Sequence, residues 1–247
     1  NNRYGLGTPN NHFGYVRVRA KRDAEEDSLR HWRIGYGADV VGAVGMQSYF
    51  NIQQLYADFQ WKMIRLSVGQ KERPLELKNS SLSSGGMTMG INARPLPQVR
   101  FELPDFWCIP GTKNWLALKA HIAYGMYIDN KWQSKFNAGS TYLYTANSFY
   151  HSKAGFLRVG NKDVFPLTLT AGLEMSAQFG GEAWNLGMRT DEGGGKIAYT
   201  KLPGGIKAFW NAFIPGGSDV TDGDYANVGG NQVGSWHARL DYHGKGW

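Results

Sequence analysis

The sequence predicts an all-β fold, a transmembrane antiparallel up-and-down β-barrel with a short helix in one long loop. Three observations predict it. Apolar residues recur with period two over long segments, the spacing that sends successive side chains to opposite faces of a strand. Several segments exceed the roughly 5–6 residues of an ordinary globular strand and reach the roughly 9–11 needed to cross a bilayer. Aromatic residues gather near segment ends, at Trp61, Trp115, Tyr127, Phe149, Tyr150 and Phe179, as in the girdles of outer-membrane barrels. A soluble β-sandwich also alternates. Strand length and the terminal aromatics favour the barrel.

The segments follow in order. Residues 13–21 and 31–41 alternate weakly. Leu55, Ala57, Phe59 and Trp61 share a face, and Ile64, Leu66 and Val68 repeat it beyond a two-residue turn near Lys62, with Arg65, Ser67 and Lys71 opposite. In 87–103, Met87, Met89, Ile91, Ala93, Val99, Phe101 and Leu103 oppose Thr88, Asn92, Arg94, Gln98, Arg100 and Glu102. Pro95 and Pro97 mark a bend or break there, because proline cannot donate to a ladder. In 115–129, Leu116, Leu118, Ala120 and Ile122 oppose Lys119 and His121, so a strand keeps the charge off the apolar face. In 167–179, Leu167, Leu169, Leu173 and Phe179 oppose Thr168, Thr170 and Glu174. Residues 149–160 and 235–243 complete about nine strands.

The whole chain, 1–247, reads as one domain. Long connections at 69–86, 129–148 and 180–232 are assigned to the outer side, since barrels have short periplasmic turns and longer outer loops. Within 180–232, Ile206, Phe209, Trp210 and Phe213 sit at helical spacing, one face of a short amphipathic helix stopped by Pro215 and Gly216.

The net charge is +7 over 247 residues. The basic residues are spread rather than clustered, which argues against nucleic acid and leaves acidic polymers or anionic lipid. Cys108 is the one cysteine. It excludes an intrachain disulfide and is expected to be a small buried filler. No run of apolar residues is long enough for a membrane helix. Asp23, Glu25 and Glu26 read as a solvated turn, and no G-x-S-x-G element anchors a nucleophile. No enzymatic signal is found, and no cofactor or metal is expected. If the apolar faces meet lipid, the basic side chains line the lumen. Such a lumen either attracts anionic solutes or is sealed by Arg–carboxylate pairs. Trp184, Trp210 and Tyr225 lie among polar residues in the long loop, a composition suited to sugar.

The stretch "IQQLYADFQWKMIRLSVGQKERPLELK", with "HIAYGMYID", "YHSKAGFLRVGNK", "FPLTLTAGLEMSAQFGG" and "GIKAFWNAFIP", resembles the Wzi-type capsule assembly family of outer-membrane proteins in its Bacteroides-like form. The resemblance implies a barrel of roughly eighteen strands in the bacterial outer membrane. It also implies a lectin-like role, holding capsular or other surface polysaccharide on the cell. The chain starts "NNRYGLG" and ends "DYHGKGW", and is expected to be a partial barrel of about nine strands, whose open edges lipid would not tolerate alone.

The expected function is non-enzymatic: binding surface polysaccharide and helping to assemble or anchor the capsule. The alternative is a pore for anionic oligosaccharides. The expected partners are acidic or neutral surface polysaccharide and outer-membrane lipid, without nucleic acid, as a monomeric barrel. The candidate ligand-binding residues are Arg65, Arg94, Arg100, Lys119, His121, Glu174, Trp184, Trp210 and Arg239.

Overall fold

The structure is a computed structural model that describes residues 3–6, 12–24, 31–46, 48–79, 81–129, 131–138, 142–184, 199–214 and 231–244. The period-two segments form the strands β1 (Gly14–Arg22), β2 (Trp32–Val44), β3 (Phe50–Trp61), β4 (Ile64–Gln70), β5 (Gln98–Cys108), β6 (Leu116–Met126), β8 (Phe149–Val159), β9 (Leu167–Phe179) and β12 (Asn231–Tyr242). These nine make one sheet in the order β1-β2-β3-β4-β5-β6-β8-β9-β12. Neighbours in sequence are neighbours in the sheet, the order of a meander, and the pairs from β1 to β5 are antiparallel. The fold is therefore all-β, with β1 and β12 as the outer strands of the sheet. The connections 23–31, 45–49, 62–63, 109–115 and 160–166 are short and 71–97, 127–148 and 180–230 are long, so short and long alternate only from 62–63 onward.

One boundary differs from the sequence reading. Residues 87–97 are not a strand, and β5 begins at Gln98, just past Pro97. The two prolines end the regular ladder because neither can donate an N–H. A bulge also interrupts the β2–β3 ladder. Asp39 pairs with Gln54 and Val40 with Ile52, which leaves Gln53 as the extra residue. Gln53 and Gln54 are consequently both buried.

The polarity of burial is inverted relative to a water-soluble sheet. The side chains packed away from solvent include Asp39, Asp58, Gln60, Ser67, Arg100, Glu102, His121, Thr170 and Glu174. The alternate positions are apolar and exposed: Val16 and Val18 in β1, Ile34 and Tyr36 in β2, Leu55 and Phe59 in β3, Leu66 and Val68 in β4, Val99 and Phe101 in β5, Leu157 in β8, Leu169 in β9, Trp236 and Leu240 in β12. The band spans β1 to β5 and recurs in β8, β9 and β12, while Leu116, Leu118 and Ile122 of β6 are half-buried. At one end of β2 and β3, Trp32 pairs with Trp61, their rings stacked at 5.7 Å with Phe59 beside them. Cys108 is exposed, against the expected buried filler, because it sits at the last position of β5 rather than in a core.

Gly37 is required by its neighbour. It pairs directly with Tyr56, and a Cβ at residue 37 would lie 2.5 Å from the Tyr56 ring. That ring in turn lies 4.5 Å from the Lys71 ammonium. Gly37→Val should displace the ring and lower stability by roughly 1–3 kcal/mol, the usual cost of overpacking. Chemical denaturation of the variant checks this, and an unchanged midpoint would contradict it.

The chain forms two compact units. The first comprises residues 1–123, 152–175 and 234–247, the second 124–151 and 176–233. The second has its own core. Helix α2 (Ile206–Phe213) packs Ala208 and Ala212 on Ala177 and Phe179, flanked by Tyr124, Phe149 and Phe209. The predicted helix is present, but its packing face is rotated from the expected one. Phe209 and Phe213 turn inward with the alanines, whereas Ile206 and Trp210 are exposed. The small alanines allow closer approach to β9 than Ile or Trp would. In β9 the buried positions are even up to Glu174 and odd at Ala177 and Phe179, so the same strand buries polar residues first and apolar ones at its end. The second unit also contains the short helix α1 (Trp132–Phe136) and a three-stranded sheet, β11 (Tyr199–Lys201), β10 (Glu182–Trp184) and β7 (Tyr144–Ala146).

Candidate functional site

The buried polar face of the first unit is a lattice of ion pairs, and register creates much of it. Arg65 in β4 lies directly opposite Glu102 in β5, and Ser67 opposite Arg100. Arg65 Nε donates to Glu102 at 2.8 Å, and Arg100 Nε to the other Glu102 oxygen at 2.5 Å. In β1, Arg17 and Arg19 both donate to Asp39 of β2 at 2.9 Å. Period two puts both arginines on one face, and the antiparallel register places Asp39 directly opposite Arg19 and diagonal to Arg17.

The remaining charges come from residues 71–79, a stretch without regular secondary structure directly after β4. The segment 69–86 is read above as an outer loop, and its 71–79 portion folds back along the polar face. Lys71 donates to Asp58 at 2.5 Å. Glu72 accepts from Arg17 at 2.8 Å and from Gln53 at 2.9 Å, and its backbone N–H donates to Gln54. Arg73 donates to Ser67. Glu76 is the hub: it meets Arg100 at 2.9 Å, Lys119 at 2.8 Å and His121 at 3.2 Å. His121 Nε2 in turn lies 3.2 Å from Ser152 Oγ. Leu75 is buried beside it, so the strap is anchored by one apolar side chain between its charged ones.

Burial alone would raise the Glu76 carboxyl, but His121, Lys119 and Arg100 outweigh it and hold the group well below the ordinary carboxylate range. The sign follows by linkage. The depressed group stabilises the docked strap above the unfolded value of about 4.3, and that contribution is lost only as pH falls through the lower folded value. At about pH 4 the strap amides should still resist hydrogen exchange, with release in stronger acid. Glu76→Gln should remove that acid step. Release of the wild-type strap already near pH 6 would contradict the assignment.

Of the predicted site residues, Arg65, Arg100, Lys119 and His121 thus converge around Glu76 and Glu102. The other five lie elsewhere. Arg94 donates to Asn51. Arg239 pairs with Asp241 at 2.7 Å on the Ser235–His237 face of β12, and its Nη1 donates to the Leu77 carbonyl at 3.4 Å. Glu174 belongs to a separate polar cluster, accepting from Thr88 at 2.5 Å with His237 Nε2 at 3.5 Å. Ser235 Oγ lies 2.8 Å from that same His237 nitrogen. A Ser–His–acid relay needs the acid on the opposite ring nitrogen, so this arrangement does not form one. Glu174 and His237 line a small cleft with Leu75, Glu76, Leu77, Lys78, Gly86 and Met89.

Trp184 and Trp210 belong to the second unit. Trp184 stands between its cross-strand partners Tyr144 and Tyr199, with ring centroids 6.2 and 4.7 Å away. Trp210 is exposed on α2, 5.9 Å from Phe213. Tyr225, Glu25 and Glu26 lie outside the described residues, as do 185–198 and 215–230 of the long loop. No group of three or more His, Cys, Asp and Glu side chains converges as a metal site among the described residues.

The sequence reading missed Glu72 and Glu76. The signal was the alternation of charge in "KERPLELK", which puts both signs within a stretch too short and proline-broken to be a strand. Among protein-family models, curated proteins and solved structures, none matches this chain.

Proposed function

We propose that this chain forms part of an outer-membrane β-barrel protein that binds surface polysaccharide and helps hold the capsule on a bacterial cell, without catalysing a reaction. The observation that carries the reading is the inverted sheet: an apolar band on one face of the nine-stranded sheet and a hydrogen-bonded ionic lattice on the other face of β1 to β6. Water penalises such a band by roughly 1.5–3 kcal/mol for each large side chain left unburied, whereas lipid does not. The paired tryptophans at the strand ends fit the membrane–water boundary, where amphipathic rings are enriched. The resemblance of the sequence to the capsule assembly family supports the polysaccharide role, and the basic side chains of the polar face suit an acidic glycan. A pore for anionic oligosaccharides is the alternative. The strap fills the polar face with its own ion pairs, which favours binding over open conduction.

The test is made on the intact protein in its host. It should fractionate with the outer membrane, bind surface glycan in purified form, and release capsule into the medium when its gene is deleted. Capsule that stays attached in the deletion strain, together with a purified protein that binds no glycan, would sink the polysaccharide role. High conductance in planar bilayers, with ion selectivity altered by Lys119→Gln, would favour the pore.

A further inference from the structure

The strap answers local imbalances of charge. Around Asp39 two guanidiniums, Arg17 and Arg19, face one strand carboxylate, and Glu72 supplies a second. Around Glu102 the cations Arg65, Arg100 and Lys119 face one strand carboxylate, and Glu76 supplies the second. Asp58 faces no cation from its own strand pair, and Lys71 supplies one. Lys71, Glu72 and Glu76 therefore sit where the strands leave a surplus of the opposite sign, whereas Arg73 donates to Ser67 and adds a further cation beside Arg100 and Arg65. Arg100 is nearly fully buried, yet its Nη1 has no partner among the described residues.

We propose that Glu72 and Glu76 are internal stand-ins for the carboxylates of an acidic polysaccharide, and that the strap and the glycan compete for one site. The receiving groups are Arg17 and Arg19 for one carboxylate, and Arg100, Lys119 and His121 for the next. The ligand class is a polymer carrying uronate-type carboxylates. Guanidinium matches the planar carboxylate through paired N–H donors, so exchanging one carboxylate for another conserves the hydrogen bonds of the buried face. Residues 71–79 belong to no strand or helix, so the strap can lift without breaking the sheet. This inference rests on the polysaccharide-binding reading above and gives it a ligand and a place.

The experiment titrates the intact protein in detergent with polygalacturonate and, separately, with neutral dextran, following hydrogen exchange of residues 71–79. Polygalacturonate should accelerate exchange of the strap, and dextran should not. The double variant Glu72→Gln with Glu76→Gln should bind polygalacturonate more tightly, by roughly the 5- to 150-fold of ordinary coupling between sites. Adding Arg100→Gln and Lys119→Gln should abolish that gain. If the double variant does not fold, the wild-type exchange experiment decides alone. Strap exchange indifferent to polygalacturonate, with dextran bound equally well, would overturn the competition while leaving polysaccharide binding intact. Charge-dependent polygalacturonate binding by a protein that never partitions into membranes would support the competition and overturn the barrel.

Discussion

Glu76→Ala is expected to release the strap. The substitution removes the one carboxylate shared by Arg100, Lys119 and His121, leaving a nearly fully buried guanidinium with only Glu102 to answer it. Breaking a buried pair from one side costs roughly 3–5 kcal/mol, because the surviving charge keeps its desolvation penalty and loses its partner. That cost falls on docking of residues 71–79, which carry no ladder of their own. Native-state hydrogen exchange and limited proteolysis should both show the strap opening while the strands stay protected. The contrast is Lys21→Ala, which breaks an exposed pair with Asp23 and should cost about 0–1 kcal/mol. Equal effects of the two substitutions would show that the polar face is not a buried lattice.

Leu55→Arg is expected to block membrane assembly. Leu55 is exposed near the middle of β3, between Ala38 of β2 and Gln70 of β4. An arginine on the lipid face of a barrel near the bilayer midplane costs roughly 2–4 kcal/mol. On a water-facing surface the same change lies within about ±0.5 kcal/mol. The substitution therefore discriminates between solvents. Folding into vesicles, followed by heat-modifiable gel mobility, measures it, with Leu55→Phe as the neutral control. An arginine variant that assembles as well as wild type would place this face in water.

The strands were legible because alternation is a local property. Lys119 and His121 could be assigned to the polar side of β6 from their odd positions alone, and both lie there beside Glu76. The phase change late in β9 was not legible. "LTLTAGLEMSAQF" alternates evenly, and only the packing of Ala208 and Ala212 shows that Ala177 and Phe179 are buried as well. Helical spacing located α2 but not its inward face, since two apolar stripes share the helix and the partner's shape selects the smaller side chains. The strap was illegible for a different reason. Its residues are placed by charges from β1, β3, β5 and β6, which lie far apart in sequence and have no periodic signature in "KERPLELK". Cys108 was misread because a residue type's usual burial says nothing of its place, and this one ends β5, beyond the packed part of the strand.

The central claim is that the apolar face of this sheet meets lipid. Spin labels placed singly along β2 of the intact protein, reconstituted in bilayers, test it most directly. Accessibility to oxygen, which partitions into lipid, is compared with accessibility to a water-soluble relaxer. Positions 34, 36 and 38 should be oxygen-accessible and shielded from the polar relaxer, while 33, 41 and 43 on the opposite face should be shielded from lipid, giving a period of two. Equal access of the water-soluble relaxer to 34, 36 and 38 would contradict the account.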